Sequence, residues 1–182
     1  KKIAQEKAGI LKPKVPAIIG KQQEKALNTI IDVSKDVGTT LHVFGRDWFV
    51  SKKNNCLFFE DKDGSIELPT PNLIGDHQFE NAGTAIVALK MLNLSEKAIK
   101  KSLKKVHWPA RLQKLKSGPL IEFVSKFPYI VEIWLDGGHN EAAAEVIANF
   151  AKNRTPQETH IVCGMLNTKN PHRYFSRMVG TV

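Results

Sequence analysis

The stretch Leu135-Asp136-Gly137-Gly138-His139-Asn140 places the tightest constraint on the fold of this chain. The apolar run from Ile130 to Leu135 reads as a buried strand. It ends in an acid and two glycines, and the residues from Glu141 to Ala151 then read as a helix. A further strand is expected at His160 to Cys163. Strand, helix, strand is the signature of a βαβ unit in a parallel sheet, so the chain is expected to be α/β. In such sheets ligands gather at the carboxyl ends of strands, and helix N-termini favour anions. Glycines let a ligand approach the backbone closely. Asp136 suits a ribose or a cation, and His139 suits a carboxylate or a phosphate. The same residues suit equally well a plain glycine turn with Asn140 as helix cap, and both readings stand at this point.

The preceding residues alternate in a similar way. Lys2 to Leu11 reads as the end of a helix closed by Gly9, Val15 to Gly20 as a short buried strand, and Gln22 to Val37 as a helix with Ala26, Ile30, Val33 and Val37 on one face. Strands are expected at Leu41 to Val50, Cys56 to Glu60 and Ser65 to Leu68, with Asn54-Asn55 and Lys62-Asp63-Gly64 as turns. Asp76 and Ser95 are placed to cap helices over His77 to Leu92 and up to Val106, the first carrying a stripe of Phe79, Ala82, Ile86 and Leu89. His107 to Arg111 interrupts the helical pattern at Pro109. Past it, a strand is expected at Leu120 to Val124, and a helix around Tyr174 begins another unit. Lys1 opens the chain in mid-helix with no initiator Met, so the sequence is expected to be a fragment.

Composition removes some classes of function. A chain of 182 residues, 42% hydrophobic and 25% charged, is globular in character and large enough for one domain or two small ones. No apolar run approaches the roughly 20 residues that cross a bilayer. The two cysteines, Cys56 and Cys163, have neither disulfide-framework nor zinc spacing, and a cytoplasmic location is expected. The net charge of +9 is compatible with nucleic acid, an anionic surface or small polyanions. Its densest run, Lys97, Lys100, Lys101, Lys104 and Lys105, is interleaved with Ala98, Ile99, Leu103 and Val106 at helical spacing, which makes it the solvated face of an amphipathic helix.

Three further segments carry groups that suit a ligand. In Gly75-Asp76-His77-Gln78-Phe79-Glu80-Asn81-Ala82, His77 and Asn81 share a helix face away from the apolar stripe, and an Asn amide pairs a donor with an acceptor, as an adenine edge requires. Capping or plain surface roles fit these residues too. In Trp108-Pro109-Ala110-Arg111, a rigid turn can present a guanidinium to phosphates, or can be a linker whose Trp packs on one domain. In Glu6-Lys7-Ala8-Gly9-Ile10, a lysine near a helix end also complements the dipole.

Taken in order, EKAGI, VPAIIG, GDHQFENAGTAIVAL, WPARLQ and LDGGHN resemble the folylpolyglutamate/dihydrofolate synthase family within the Mur ligase superfamily, from Ile3 to about Leu166. The resemblance implies the remainder of a Mur-ligase-type central ATPase domain at residues 1–107, a hinge at 108–117, and a truncated Rossmann-like domain at 118–182. It implies an ATP-dependent ligase that joins L-glutamate to a folate or dihydropteroate carboxylate through an acyl phosphate, with ATP and Mg2+ required. Asn81, Arg111 and Asp136 match nucleotide-contacting residues of the family, and His77 and Gln78 lie in the same nucleotide-binding block. His139 matches a histidine near the incoming glutamate. Lys7 matches a lysine that, once carbamylated, becomes a hard oxygen ligand for magnesium. Small-molecule substrates, no nucleic acid, no membrane and a monomeric state are the implied partners.

The sequence also departs from that pattern. Glu141 stands where a proline usually follows His-Asn, and no GxxxxGK[ST] phosphate loop occurs among the 182 residues. The isolated chain is therefore expected to lack ligase activity. Two alternatives remain: a peptidoglycan-precursor ligase with the same acyl-phosphate chemistry, and a non-catalytic basic module that contacts nucleic acid through its lysines. The HQ pair in GDHQFENA and the WPARLQ segment favour folate.

Overall fold

The computed structural model describes residues 2–129, 132–154, 158–166 and 168–182. The chain divides into two compact units, one of Lys1–Asn72 with Asp76–Val106 and one of Leu73–Gly75 with His107–Val182.

The first unit starts with helix α1 (Lys2–Ala8), strand β1 (Ala17–Ile19), helix α2 (Glu24–Val37) and strand β2 (Leu41–Val43). β1 and β2 pair in parallel, Ala17 opposite Leu41, so α2 is the crossover of a βαβ unit. Gly38 ends α2 in the left-handed region, at φ 75°, and its N–H returns to the carbonyls of Ser34 and Lys35. Strands β3 (Trp48–Lys53), β4 (Cys56–Asp61) and β5 (Gly64–Pro69) then form an antiparallel meander. Asn54 and Asn55, at φ 48° and 58°, make its first turn, a conformation that asparagine tolerates better than most residues. The strand expected from Leu41 to Val50 is interrupted: Gly45, at φ 82°, turns the chain between β2 and β3.

Helices α3 (His77–Met91) and α4 (Glu96–Lys105) cover one face of the meander. Alternate residues of β4, Leu57 and Phe59, point inward and meet Trp48, Leu68, Phe79, Ala82, Ile86, Ile99 and Leu103. Gly83 lies on the inner side of α3, where a Cβ would come within 2.6 Å of the Trp48 ring. Ser95 caps α4 as expected, accepting from the Ala98 N–H, and the lysines of α4 are exposed while Ile99 and Leu103 are buried. Asp76 does not cap α3 with its side chain; its carboxylate instead meets Lys52 Nζ at 3.1 Å.

The second unit is less regular. Strand β6 (Gln113–Lys114) pairs antiparallel with β7 (Trp134–Leu135), and helices α5 (Pro119–Val124), α6 (Glu141–Lys152) and α7 (Pro171–Ser176) complete it. Two expectations fail here. Leu120 to Val124 is helical rather than extended, because Pro119 at the first helical position and Glu122 in the first turn favour a helix start. His160 to Cys163 forms no strand: Ile161 packs against Ala144, Ala148, Tyr174 and Met178, but the segment pairs with no strand among the described residues. The expected parallel βαβ pairing is therefore not formed there. Ile130 and Val131, the start of the expected strand, lie outside the described residues. Among the described residues no helix is long and apolar enough to cross a membrane.

Candidate functional site

In the first unit the start of α3 gathers three of the expected residues. Gln78 is buried, 5% exposed, and its side chain serves two neighbours at once. Its Oε1 accepts from Asn81 Nδ2 at 3.1 Å, and its Nε2 lies 3.0 Å from His77 Nε2, which must then be the acceptor. The helix makes this possible, because residues three apart lie on one face. Asn81 is exposed, and among the described residues its carbonyl oxygen and second amide hydrogen have no partner, so one edge of the amide stays open to a ligand. Gln78 thus orients Asn81 and His77 rather than reaching outward itself.

Lys7 sits in the last turn of α1, exposed, while Ala4 and Ala8 turn inward. Among the described residues no group of three or more His, Cys, Asp or Glu side chains can hold a metal ion. One lysine, even carbamylated, is one ligand, and magnesium usually fills the rest of its octahedral set with waters and substrate oxygens. Of the residues expected to hold magnesium, Lys7 is the one candidate ligand that this chain offers.

In the second unit the structure brings Arg111, Asp136 and His139 together through two loops. The first loop is a tight turn in which Ala110 and Leu112 both adopt left-handed backbone, at φ 54° and 42°, on either side of Arg111. The second is the Asp136-Gly137-Gly138 segment at the end of β7. Asp136 joins them: its Oδ2 accepts from the Leu112 N–H at 2.8 Å and its Oδ1 from the Gly138 N–H at 2.7 Å. Gly137 N donates to the Ala110 carbonyl at 2.9 Å, and the Ala110 N–H donates to Gln113 Oε1 at 2.9 Å. The Arg111 guanidinium returns one N–H to the Ala110 carbonyl at 3.2 Å, which lays it across Gly137; a Cβ there would stand 3.4 Å from Nη1. Arg111 is exposed, and among the described residues one of its five N–H donors is engaged, which leaves the others for an anion.

Of the two glycines, Gly138 is the one that the packing requires. Gly138 has no room for a side chain, because a Cβ would collide with Ala143 and lie 2.7 Å from Asp136 Oδ1. His139 donates from Nδ1 to the Gly137 carbonyl at 3.1 Å, leaving Nε2 turned outward from an exposed ring. Asn140 caps α6, its Oδ1 accepting from the Ala143 N–H at 2.9 Å. Glu141, at the next position, makes ion pairs with Arg177, which caps the end of α7, and with Arg173 of α7, and these hold its carboxyl below its ordinary range. Burial pushes the Tyr174 hydroxyl up, with Cys163 and Asp136 adding to the effect.

Leu112 and Gln113 lie within the WPARLQ segment, but nothing in that segment gives either of them a role. The signal that points to them is an aspartate directly before two glycines. One of its oxygens closes a local turn, and the other must find a donor elsewhere in the chain.

No family model matches the chain. Curated relatives do. A folylpolyglutamate synthase of Lacticaseibacillus casei is 29% identical over 180 residues, covering 92% of this chain and 39% of its own length. A dihydrofolate synthase/folylpolyglutamate synthase of Escherichia coli (strain K12) is 32% identical over 173 residues, covering 92% and 36%. Among solved structures, E. coli FolC in complex with DHPP and ADP matches with a TM-score of 0.77 and 29% identity over 99% of this chain and 40% of that one. A bifunctional folylpolyglutamate synthase/dihydrofolate synthase with Mn, AMPPNP and L-glutamate bound matches at 0.81 and 26%, over 100% and 40%. The chain spans roughly two fifths of the length of these proteins. Over that stretch it has the α/β fold of Mur-ligase-type enzymes and is similar in sequence to folylpolyglutamate synthase/dihydrofolate synthases.

Proposed function

We propose that this chain carries nucleotide-facing groups of an ATP-dependent ligase that adds L-glutamate to a folate or dihydropteroate carboxylate by way of an acyl phosphate. The observation that carries the reading is the Arg111 turn: an exposed guanidinium fixed over a glycine loop by a buried-side hydrogen-bond network. Phosphoryl transfer is catalysed mainly by positioning and charge stabilisation, so a preset guanidinium with unspent donors is the group this chemistry calls for. Asn81 offers its open amide edge to the adenine. Asp136 keeps lone pairs beyond the two it spends on the loops, and these suit a ribose hydroxyl. His139, whose Nδ1 is spent on the Gly137 carbonyl, is the candidate for contact with the incoming glutamate through Nε2, and Lys7 is the candidate for carbamylation and one magnesium contact.

The support is twofold: the motifs of the sequence resemble those of the family in their order, and solved relatives are complexed with ADP, AMPPNP and L-glutamate. The domain reading follows the same lines, with an ATPase part at 1–107, a hinge at 108–117 and a Rossmann-like part at 118–182. The partners are small molecules, with no nucleic acid; the protein acts as a monomer in the cytoplasm.

The test is a titration of the chain with ADP and magnesium, followed by the amide resonances of Arg111, Gly137, Gly138 and Asn81. Shifts at these four positions, lost at Arg111 and the glycines in Arg111→Ala, are the expected result. Resonances that stay still at saturating nucleotide would remove the nucleotide site from the proposal.

A further inference from the structure

We infer that Gln113 is a positioning residue for Arg111: its side-chain oxygen, acting with the Asp136 carboxylate, holds the Ala110–Leu112 turn in the form that presents the guanidinium. The inference rests on the reading of Arg111 as a phosphate-facing group, and adds to it the residue that sets its direction.

Left alone, the turn is unfavourable. Two non-glycine residues flank Arg111 at φ 54° and 42°, and Leu112 is also buried at 6% exposure. Such conformations persist only where the surroundings over-determine them. Three bonds do so here, and each acts on a different group. Asp136 accepts from the Leu112 N–H, the Gly137 N–H donates to the Ala110 carbonyl, and Gln113 accepts from the Ala110 N–H. The last bond holds the N–H side of Ala110 while Gly137 holds its carbonyl side, so together they set the φ and ψ that aim the carbonyl to which Arg111 Nη1 donates. Turning Ala110 turns Arg111.

Gln113 is also suited to hold its acceptor still. Its backbone is in β6, paired with Leu135 immediately before Asp136, and its side chain is half-buried. An acceptor mounted on a paired strand is positioned better than one on a free loop. The acceptor is a side chain and not a backbone carbonyl, so the sequence at this one position decides whether the turn is braced.

The test uses the 182-residue chain with ADP and magnesium as the probe. Binding is read from the Arg111 Nε–H resonance, and the turn is read separately from amide exchange at Ala110. Gln113→Met keeps the length and loses the acceptor, while Gln113→Glu keeps an oxygen in place. The expected result is faster exchange at Ala110 and about fivefold weaker ADP binding in Gln113→Met, the factor that goes with one lost hydrogen bond. Gln113→Glu restores the exchange protection and most of the binding, and Gln113→Met adds no further loss on an Arg111→Ala background. Unchanged exchange at Ala110 in Gln113→Met overturns the inference. So does Gln113→Glu behaving like Gln113→Met, which would make the residue a packing element of β6. If Arg111→Ala alone leaves ADP binding unchanged, the nucleotide reading fails by itself, and Ala110 exchange still decides whether Gln113 braces the turn.

Discussion

At Gly83 the absence of a side chain sets how closely α3 approaches β3. A Cβ would stand 2.6 Å from Trp48 and 2.9 Å from Val50 Cγ1, and Trp48 is only 1% exposed. Gly83→Ala gains up to about 1 kcal/mol of helix propensity, but overpacking of a filled core costs about 1–3 kcal/mol. Net destabilisation of the first unit is expected, seen as a lower urea midpoint with an unchanged slope. Ala110 is the opposite case. It holds φ 54° with a Cβ present, so Ala110→Gly relieves backbone strain while adding freedom to the unfolded chain. Neutrality or a gain of up to about 1 kcal/mol is expected at Ala110. The same substitution at helical Ala144, which is fully buried, should cost about 1 kcal/mol or more, and thermal melts of the two variants make the comparison. Individual residues were legible in the sequence where the cause is local. Ser95 caps as expected, Asn140 caps as one of its two open readings had it, and Asn54-Asn55 turns, because the partner lies within three residues. The joint role of Asp136 was not legible, since the donor it finds is 24 residues away.

Whole elements separate along the same line. The stripe Phe79, Ala82, Ile86 identified α3 because a helix buries a face with a fixed period, and the meander behind it supplies the surface to bury against. In the second unit α5 buries no residue at all, so nothing in its burial pattern could distinguish a helix from the strand its Leu, Ile, Phe and Val suggest. Connections between elements there are carried by charge instead. Glu132 accepts from Lys114 of β6, from Trp134 Nε1 of β7 at 2.9 Å, and from Arg154 just past α6, whose guanidinium also lies over the Trp134 and Phe150 rings. Those hydrogen bonds, the Lys114 one foremost, bring its carboxyl down to about 2 from an ordinary 4.5. The folded form therefore binds its proton less readily than the unfolded form. The resulting stability is fully present above pH 4.5 and is lost as the pH falls from there through about 2. Glu141, held low by Arg177 and Arg173, loses its share in the same direction. Glu132→Gln should lower the melting temperature of the second unit at pH 7 and flatten its decline between pH 4.5 and 2, with the residual slope left by Glu141. A slope equal to that of the parent chain would count against the cluster as the source.

For the molecule as a whole, the expectation is that the 182 residues alone do not turn over. Without a phosphate loop there is no ring of backbone N–H donors and no lysine for the β- and γ-phosphates. Losing one transition-state donor typically costs a factor of about 10²–10³, and several are missing at once. Incubation with ATP, magnesium, L-glutamate and a reduced folate should release no phosphate above background; turnover within about tenfold of a full-length relative would require a phosphate site elsewhere in these residues. The bracing of the Arg111 turn has a temporal side as well. Its two outside partners, Asp136 and Gly137, lie about two dozen residues downstream of it. Closing that interval costs chain entropy before any bond forms, and chains emerge from the ribosome N-terminus first. A nascent chain that has already exposed Arg111 therefore still has a loose turn. The guanidinium takes its direction only after Gly138 has been synthesised and β6 has met β7, so an interrupted translation product ending before that point would carry the arginine without the means to aim it.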